Sequence, residues 1–194
     1  PVSESAFCVN VWYPSADHPG GYDTLMANLD VIDGVNPFWY TPVGDGSVQA
    51  VNGAEDAAQL AAWREAGLPV IPSIFSGLGN VISDPETRAA HIDAIVELVE
   101  RMDYDGIDID YEGFSLNTRD AFSGFIEDLS ERLHANGRLL TVAVHPKASD
   151  EGAWEGAAAQ DWTRIAPAVD VFAIMTYDHG GRNAPPQPIG PTPW

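Results

Sequence analysis

The stretch Asp105-Gly106-Ile107-Asp108-Ile109-Asp110-Tyr111-Glu112 alternates acidic with apolar side chains. In an extended strand, successive side chains point to opposite faces and residues two apart share one. Asp108, Asp110 and Glu112 therefore lie on one face, with Ile107, Ile109 and Tyr111 on the other. The apolar set can pack beneath helices, which leaves three carboxylates aimed into a hollow. A parallel barrel of strands wrapped in helices provides both environments, and Glu112 is nearest the C-terminal strand end, where such barrels carry their active sites.

Outward from this strand the chain repeats one alternation. Runs rich in β-branched and aromatic residues fall at 7–13, 31–40, 69–75, 106–111, 139–144 and 171–176. Helical periodicity separates them at 22–29, 54–66, 83–99, 122–137 and 161–168. Ser83 and Glu86 form a capping-box pattern around Pro85, and Asn136-Gly137 closes the helix marked by Phe122, Phe125, Leu129 and Leu133. A turn-rich excursion passes Gly44, Gly46 and Gly53 after the second strand. Strict β/α alternation predicts a parallel sheet of right-handed units. No glycine-rich phosphate fingerprint follows Tyr13, only Pro14 and Ser15, so a barrel is favoured over a dinucleotide-binding sheet.

The fold expected is thus α/β, a TIM-type (β/α)8 barrel represented by its first six β/α units. A complete barrel takes about 250 residues, and this chain has 194. One catalytic domain is expected across 1–194, with a proline-rich tail at 180–194 holding Pro185, Pro186, Pro188, Pro191 and Pro193. Six strands leave two open sheet edges, through which self-association is expected.

The chain carries 9 basic residues against 29 acidic ones, a formal net charge of −20. Such a surface repels phosphate backbones and excludes nucleic acid as a partner. No run of about 18 apolar residues provides a membrane span. Cys8, in the apolar run Ala6-Phe7-Cys8-Val9, is the only cysteine and is expected to be a small buried hydrophobe. The opening Pro1-Val2-Ser3 shows no signal segment.

Adjacent carboxylates on the acidic face stand about 6–7 Å apart along the strand. In a low-dielectric interior three of them cannot all ionise freely, so at least one is expected to hold a proton near neutral pH. A protonated carboxyl beside ionised neighbours is what general-acid catalysis requires. A divalent-cation site is the alternative, but consecutive same-face residues of one strand make poor octahedral ligands. His18, His91, His134, His145 and His179 form no zinc signature, and neither metal nor cofactor is expected. On the last strand, Met175 and Tyr177 share a face, with Tyr177 at its C-terminal end. Aromatic residues at other strand ends, Trp12 and Tyr13, Phe38, Trp39 and Tyr40, and Phe75, are candidates for a sugar-stacking wall, with Tyr40 or Trp39 foremost.

At these residues the chain resembles family 18 of the glycoside hydrolases, the chitinase family. The fourth-strand signature D-G-x-D-x-D-x-E is met by Asp105, Gly106, Asp108, Asp110 and Glu112, and the sixth-strand M-x-Y-D by Met175, Tyr177 and Asp178. Within the family it looks most like the bacterial cell-wall branch, the spore-cortex-lytic N-acetylglucosaminidases. That likeness rests on Asn36-Pro37-Phe38-Trp39-Tyr40, on Leu140-Thr141-Val142-Ala143-Val144 with Pro146-Lys147, and on Pro188-Ile189-Gly190-Pro191. The resemblance implies hydrolysis of β-1,4-linked N-acetylglucosamine polymers, peptidoglycan or chitin, by a retaining mechanism in which the substrate supplies the nucleophile. It implies Glu112 as acid and base, Asp110 on the acetamido N–H, Asp108 sharing a proton with Asp110, and Tyr177 donating to the acetamido oxygen. Met175 and Asp178, with Tyr40, Trp39 and Tyr13, would bind sugar. The polymer lies outside the cell, so an extracellular or wall-associated location is implied. Ser73-Ile74-Phe75-Ser76-Gly77 matches the family's third-strand pattern only loosely. The eighth-strand tryptophan that floors the sugar site has no counterpart, Trp194 standing too early. A carbohydrate-binding member without catalysis, or a barrel fragment, is the alternative function.

Overall fold

The computed structural model describes residues 8–14, 20–76, 79–152, 154–178 and 185–190. Residues 1–7, Ser15, His18, Gly77, 179–184 and 191–194, with the features the sequence suggested for them, lie outside that set. Six strands run parallel: β1 (Asn10–Tyr13), β2 (Gly34–Pro42), β4 (Ser73–Phe75), β5 (Gly106–Asp110), β6 (Leu139–Val144) and β7 (Val171–Ile174). They neighbour one another in that order, as a half-barrel with helices between them. The glycine-rich excursion adds a strand the sequence did not suggest: β3 (Val48–Ala50) folds back antiparallel on the end of β2. Asp45 closes that hairpin by accepting from the Ser47 amide and hydroxyl.

The helices are α1 (Gly21–Met26), α2 (Ala57–Glu65), α3 (Gly79–Ser83), α4 (Pro85–Met102), α5 (Arg119–Ala135), α6 (Glu155–Ala158) and α7 (Trp162–Ile165). The start of α4 corrects the capping-box expectation. Asp84, not Ser83, is the cap, its carboxylate accepting from the Thr87 amide at 2.8 Å, while Ser83 ends α3. An aspartate one residue nearer Pro85 satisfies the same orphan amide and adds charge at the helix's positive end. Asp56 caps α2 likewise, accepting from the amides of Ala58 and Gln59. Cys8 is exposed rather than buried, because the sheet begins only at Asn10.

The outer face of the sheet and the helices enclose the core. Ile107, Ile109 and Tyr111 of the acidic stretch are buried there, as are Leu140, Val142 and Val144 of β6 and Phe122, Phe125 and Leu129 of α5. The Tyr111 hydroxyl lies 2.6 Å from His91 Nε2, and His91 Nδ1 lies 2.8 Å from the Gly46 carbonyl. A carbonyl only accepts, so Nδ1 carries the proton and Nε2 accepts from the tyrosine. Burial also holds the His91 pKa below its usual range. Gly46 has a φ of 90°, and a Cβ there would stand 2.8 Å from the Thr87 carbonyl oxygen. Glycine is what lets this hairpin reach α4 and its histidine.

Strand starts are fastened by a repeated device. Asp33, just before β2, accepts from the Val9 amide; Asp105, before β5, from Val70; and Asp170, before β7, from Leu140, at 2.7, 2.8 and 2.8 Å. Each aspartate precedes one strand and takes an amide at, or just before, the beginning of the strand beside it. A charged acceptor makes the stronger kind of hydrogen bond. Part of the acidity therefore sets the register of the sheet.

Among the described residues β1 pairs only with β2 and β7 only with β6, so both outer edges are unpaired. An apolar groove of about 730 Å³ runs along β1 and α1, lined by Val11, Tyr13, Leu25, Val31 and Ile32 among others. Unpaired edges template intermolecular pairing. The 194-residue chain is accordingly expected to self-associate with rising concentration in light scattering, and Ile174→Lys on the edge strand to shift it toward monomer. A monomer at all concentrations would contradict this.

Candidate active site

The register of the sheet stacks inward-facing residues in layers. Ser73, Asp108, Thr141 and Val171 stand side by side on β4 to β7, and Phe75 is level with Asp110 one layer further along. Gly106 opens the acidic stretch because a Cβ there would fall 2.2 Å from the Leu139 carbonyl oxygen. Asp105 and Gly106 thus build the strand, and the acids after them line the hollow.

Asp108 is fully buried. Its Oδ2 accepts from Ser73 Oγ at 2.6 Å and from the Trp12 indole nitrogen at 3.1 Å, while Oδ1 has no partner. Burial drives its pKa up to about 7, against the lowering effect of those two donors. Asp110, next along the face, is buried with an unpartnered Oδ1. Burial raises its pKa to about 6, and the charge of Glu112 adds to the rise. The predicted inward row is therefore present, and its inner two members hold protons far above the usual carboxylate range.

Glu112 stands at the rim, at the C-terminal end of the row, with its side chain 53% exposed, beside His145, whose Nε2 lies 3.6 Å from Glu112 Oε2. The raised proton affinity of Asp108 and Asp110 follows from their burial, which disfavours the charged form.

Tyr177 reaches the same centre from beyond β7. Its pKa is raised, by burial first and then by the charges of Asp110, Glu112, Asp178 and Asp108. Its ring packs edge-on against Trp12, with centroids 6.4 Å apart. Met175 is buried, its amide donating to the Val144 carbonyl, while Asp178 is exposed in a left-handed conformation with φ 54°. The structure thus brings Asp108, Asp110, Glu112 and Tyr177 together, with Trp12, Phe38 and Phe75 in contact as an aromatic wall.

Three expected sugar-binding residues lie elsewhere. Trp39 is fully buried, stacked on Trp63 of α2 with centroids 5.5 Å apart. Tyr40 is fully buried too, its hydroxyl 2.8 Å from that of Tyr104 and donating to Glu55. A register shift between Phe38 and Tyr40 is the cause: Phe38 faces Ser73 but Tyr40 faces Ile74, so the bulge turns Tyr40 to the helix side with Trp39. Tyr13 is buried edge-on against Trp63. Its neighbour Trp12 points inward, so alternation sends Tyr13 outward.

The sequence reading passed over His145 and Gln160. His145 follows β6 at its C-terminal end, with its ring centroid 4.6 Å from that of Trp154. Gln160 is buried and spans the ends of β5 and β6. Its Oε1 accepts from the His145 amide at 2.7 Å, and its Nε2 makes long 3.5 Å contacts to the carbonyls of Tyr111 and Ala143. The position after an apolar strand run, at the end where barrels keep their function, was the available signal for His145. Lys147 is spent structurally, donating to Asp150 and to the Gln160 carbonyl.

The model of the family described as Glycosyl hydrolases family 18 matches residues 22–192. A Bacillus subtilis (strain 168) protein, provisionally named sporulation-specific glycosylase YdhD, is 31% identical over 166 residues, which cover 81% of this chain and 39% of that protein. The cortical fragment-lytic enzyme of the same organism is 31% identical over 120 residues, or 59% of this chain and 27% of that enzyme. The crystal structure of a chitinase from Chromobacterium violaceum ATCC 12472 shares the fold, with a TM-score of 0.88 at 21% identity, covering 97% of this chain and 62% of that one. The chain spans about two fifths of the length of the first of these relatives.

The raised pKa values carry a prediction for stability. A carboxyl whose folded pKa lies above its unfolded one binds more protons when folded, so its contribution is present at low pH and lost as pH rises. For Asp110 that window runs from the unfolded value of 3.8 up to about 6. Asp110→Asn, which removes the buried charge, is expected to raise the thermal midpoint at pH 8 by several degrees, roughly 2 kcal/mol. At pH 3.5 it should change little. Equal gains at both pH values would refute the assignment.

Proposed function

The chain belongs to the glycosyl hydrolases of family 18, and on that footing we propose that it hydrolyses β-1,4-linked N-acetylglucosamine polymers with retention, using the substrate's own acetamido group. The observation that carries the reading is the graded acidic row, with Asp108 and Asp110 raised to about 7 and 6 inside and Glu112 at the rim, where its charge acts on Tyr177.

In this mechanism Glu112 gives its proton to the glycosidic oxygen. The acetamido carbonyl oxygen attacks C1, the bond to the leaving sugar breaks, and an oxazolinium ion forms. Asp110, with one buried oxygen that has no partner, accepts the acetamido N–H and balances the positive charge. Asp108 lies one layer deeper and exchanges proton occupancy with Asp110, so that one of the pair is charged when the cation appears. Tyr177, whose pKa is raised by burial and then by the surrounding carboxylates, donates to the acetamido oxygen. Glu112 then takes a proton from water as that water opens the ring.

Trp12, Phe38 and Phe75 offer ring faces to the sugar. Met175 and Asp178 flank the reacting unit. Relatives named as a sporulation-specific glycosylase and a cortical fragment-lytic enzyme favour the glycan strands of peptidoglycan over chitin. On this reading the protein acts outside the cell or at its wall.

Glu112→Gln is expected to cut turnover of a fluorogenic β-chitobioside by at least a thousandfold, while chitotriose binding by calorimetry stays within threefold. A thiazoline mimic of the oxazolinium should inhibit, and cellulose should remain uncut. Wild-type protein that binds chitotriose but never cleaves would favour a carbohydrate-binding role. Indifference to the thiazoline would refute the substrate-assisted route.

A further inference from the structure

We infer that His145 is a positioning residue for Glu112, its imidazole donating from Nε2 to one carboxylate oxygen so that the other carries the proton to be transferred. The inference deepens the glycosidase reading and rests on it. Three observations converge on this pair. His145 is buried, and its Nε2 has no hydrogen-bond partner, an expensive condition for a polar atom away from water. Among the described residues the charged group beside it is Glu112, whose Oε2 lies 3.6 Å from that nitrogen, half an ångström or so beyond a hydrogen bond. A small rotation of the half-exposed glutamate closes the gap, whereas the histidine is held.

It is held on two sides. The His145 amide donates to Gln160 Oε1 at 2.7 Å, and the same glutamine reaches the Tyr111 carbonyl, directly before Glu112, at 3.5 Å. Both strand ends are thereby tied to one buried side chain. The imidazole also lies against the Trp154 ring, centroid to centroid at 4.6 Å. Trp154 in turn covers Gly156, where a Cβ would stand 2.1 Å from the indole. Among the described residues the charged group acting on the imidazole is Glu112, from the end of β5. Lys147, from the same segment as His145, is directed to Asp150 and the Gln160 carbonyl; Trp154 and Gln160 are uncharged.

A free carboxyl at the rim rotates, and either oxygen can carry the proton. With Oε2 held by an N–H donor, the proton resides on Oε1 in a fixed direction. After transfer, the new carboxylate keeps a donor, and a hydrogen bond to an ionised acceptor is stronger than one to a neutral carboxyl. The same bond therefore favours the product of proton transfer over its reactant, which is how a positioning residue accelerates the step.

Two measurements on the full chain test this. The first is NMR titration of histidine-labelled protein, with the His145 signal assigned by its loss in His145→Gln. Burial lowers the His145 pKa and the Glu112 charge raises it in part. Replacing that charge in Glu112→Gln should move the His145 midpoint down by half a pH unit or more; an unchanged midpoint would overturn the pairing. The second is kinetics with the fluorogenic β-chitobioside. His145→Phe should lower kcat at least tenfold with KM within threefold, and His145→Gln, which restores an N–H donor, should recover most of it. Equal losses in both variants, or a loss confined to KM, would reduce His145 to packing and overturn the inference. Coupling by NMR in a wild-type chain that cleaves nothing would refute the glycosidase reading and the catalytic role with it, while the absence of coupling refutes this inference alone.

Discussion

The carboxylate of Asp108 is shared by three strands. From β5 it accepts the Ser73 hydroxyl of β4 and the Trp12 indole N–H of β1, entirely out of water. Hydrogen bonds to a charged group contribute about 1.5–3 kcal/mol each, and losing either partner leaves the desolvation cost uncompensated. The inward face of the sheet is arranged around this one side chain. Trp12 reaches it from β1, and the same indole meets Phe38 on one side and Tyr177 on the other. Pulling Asp108 out would release the aromatic wall as well as the acid.

From that anchor the row changes character outward. Burial declines from the fully enclosed Asp108, through Asp110, to Glu112 at the rim, and proton affinity follows it for the two inner groups, at about 7 and 6. A buried pair that releases protons near neutrality can be poised with a single charge between them, which suits a site where a cation appears and vanishes. The rim position suits a group that must meet both substrate and water. One strand thereby supplies a charge store and a proton donor at neighbouring points, with no change of scaffold between them.

Much of this was legible because a strand has a period of two. The alternation in 105–112 foretold which side chains enter the hollow and which go beneath α4 and α5, and Ile107, Ile109 and Tyr111 are where it put them. The same period, applied to Trp12, would have sent Tyr13 to the helices. Tyr40 was not accessible in that way: the bulge after Phe38 puts two successive residues on one face, and no local residue type announces it. The acid at the rim was legible as a residue but not as an environment, since exposure depends on what the loops of β6 and β7 cover. The connection after β6 carries His145, Gln160 and Trp154, whose significance arises from contacts between distant segments.

The acidity of the chain acquires a structural meaning from the aspartates at strand starts. Asp33, Asp105 and Asp170 each close the bottom of the sheet by taking an amide from the neighbouring strand. Asp105 is also the first acid of the 105–112 stretch, so a single sequence element fixes the register at one end and presents chemistry at the other. Register and chemistry are then coupled. Slipping β5 by one residue against β4 would part Asp105 from the Val70 amide and Asp108 from Ser73 together. It would also turn every carboxylate of the row toward the helices. The acids at the bottom and the acids at the mouth exclude the same error, and the position of Glu112 at the rim follows from both.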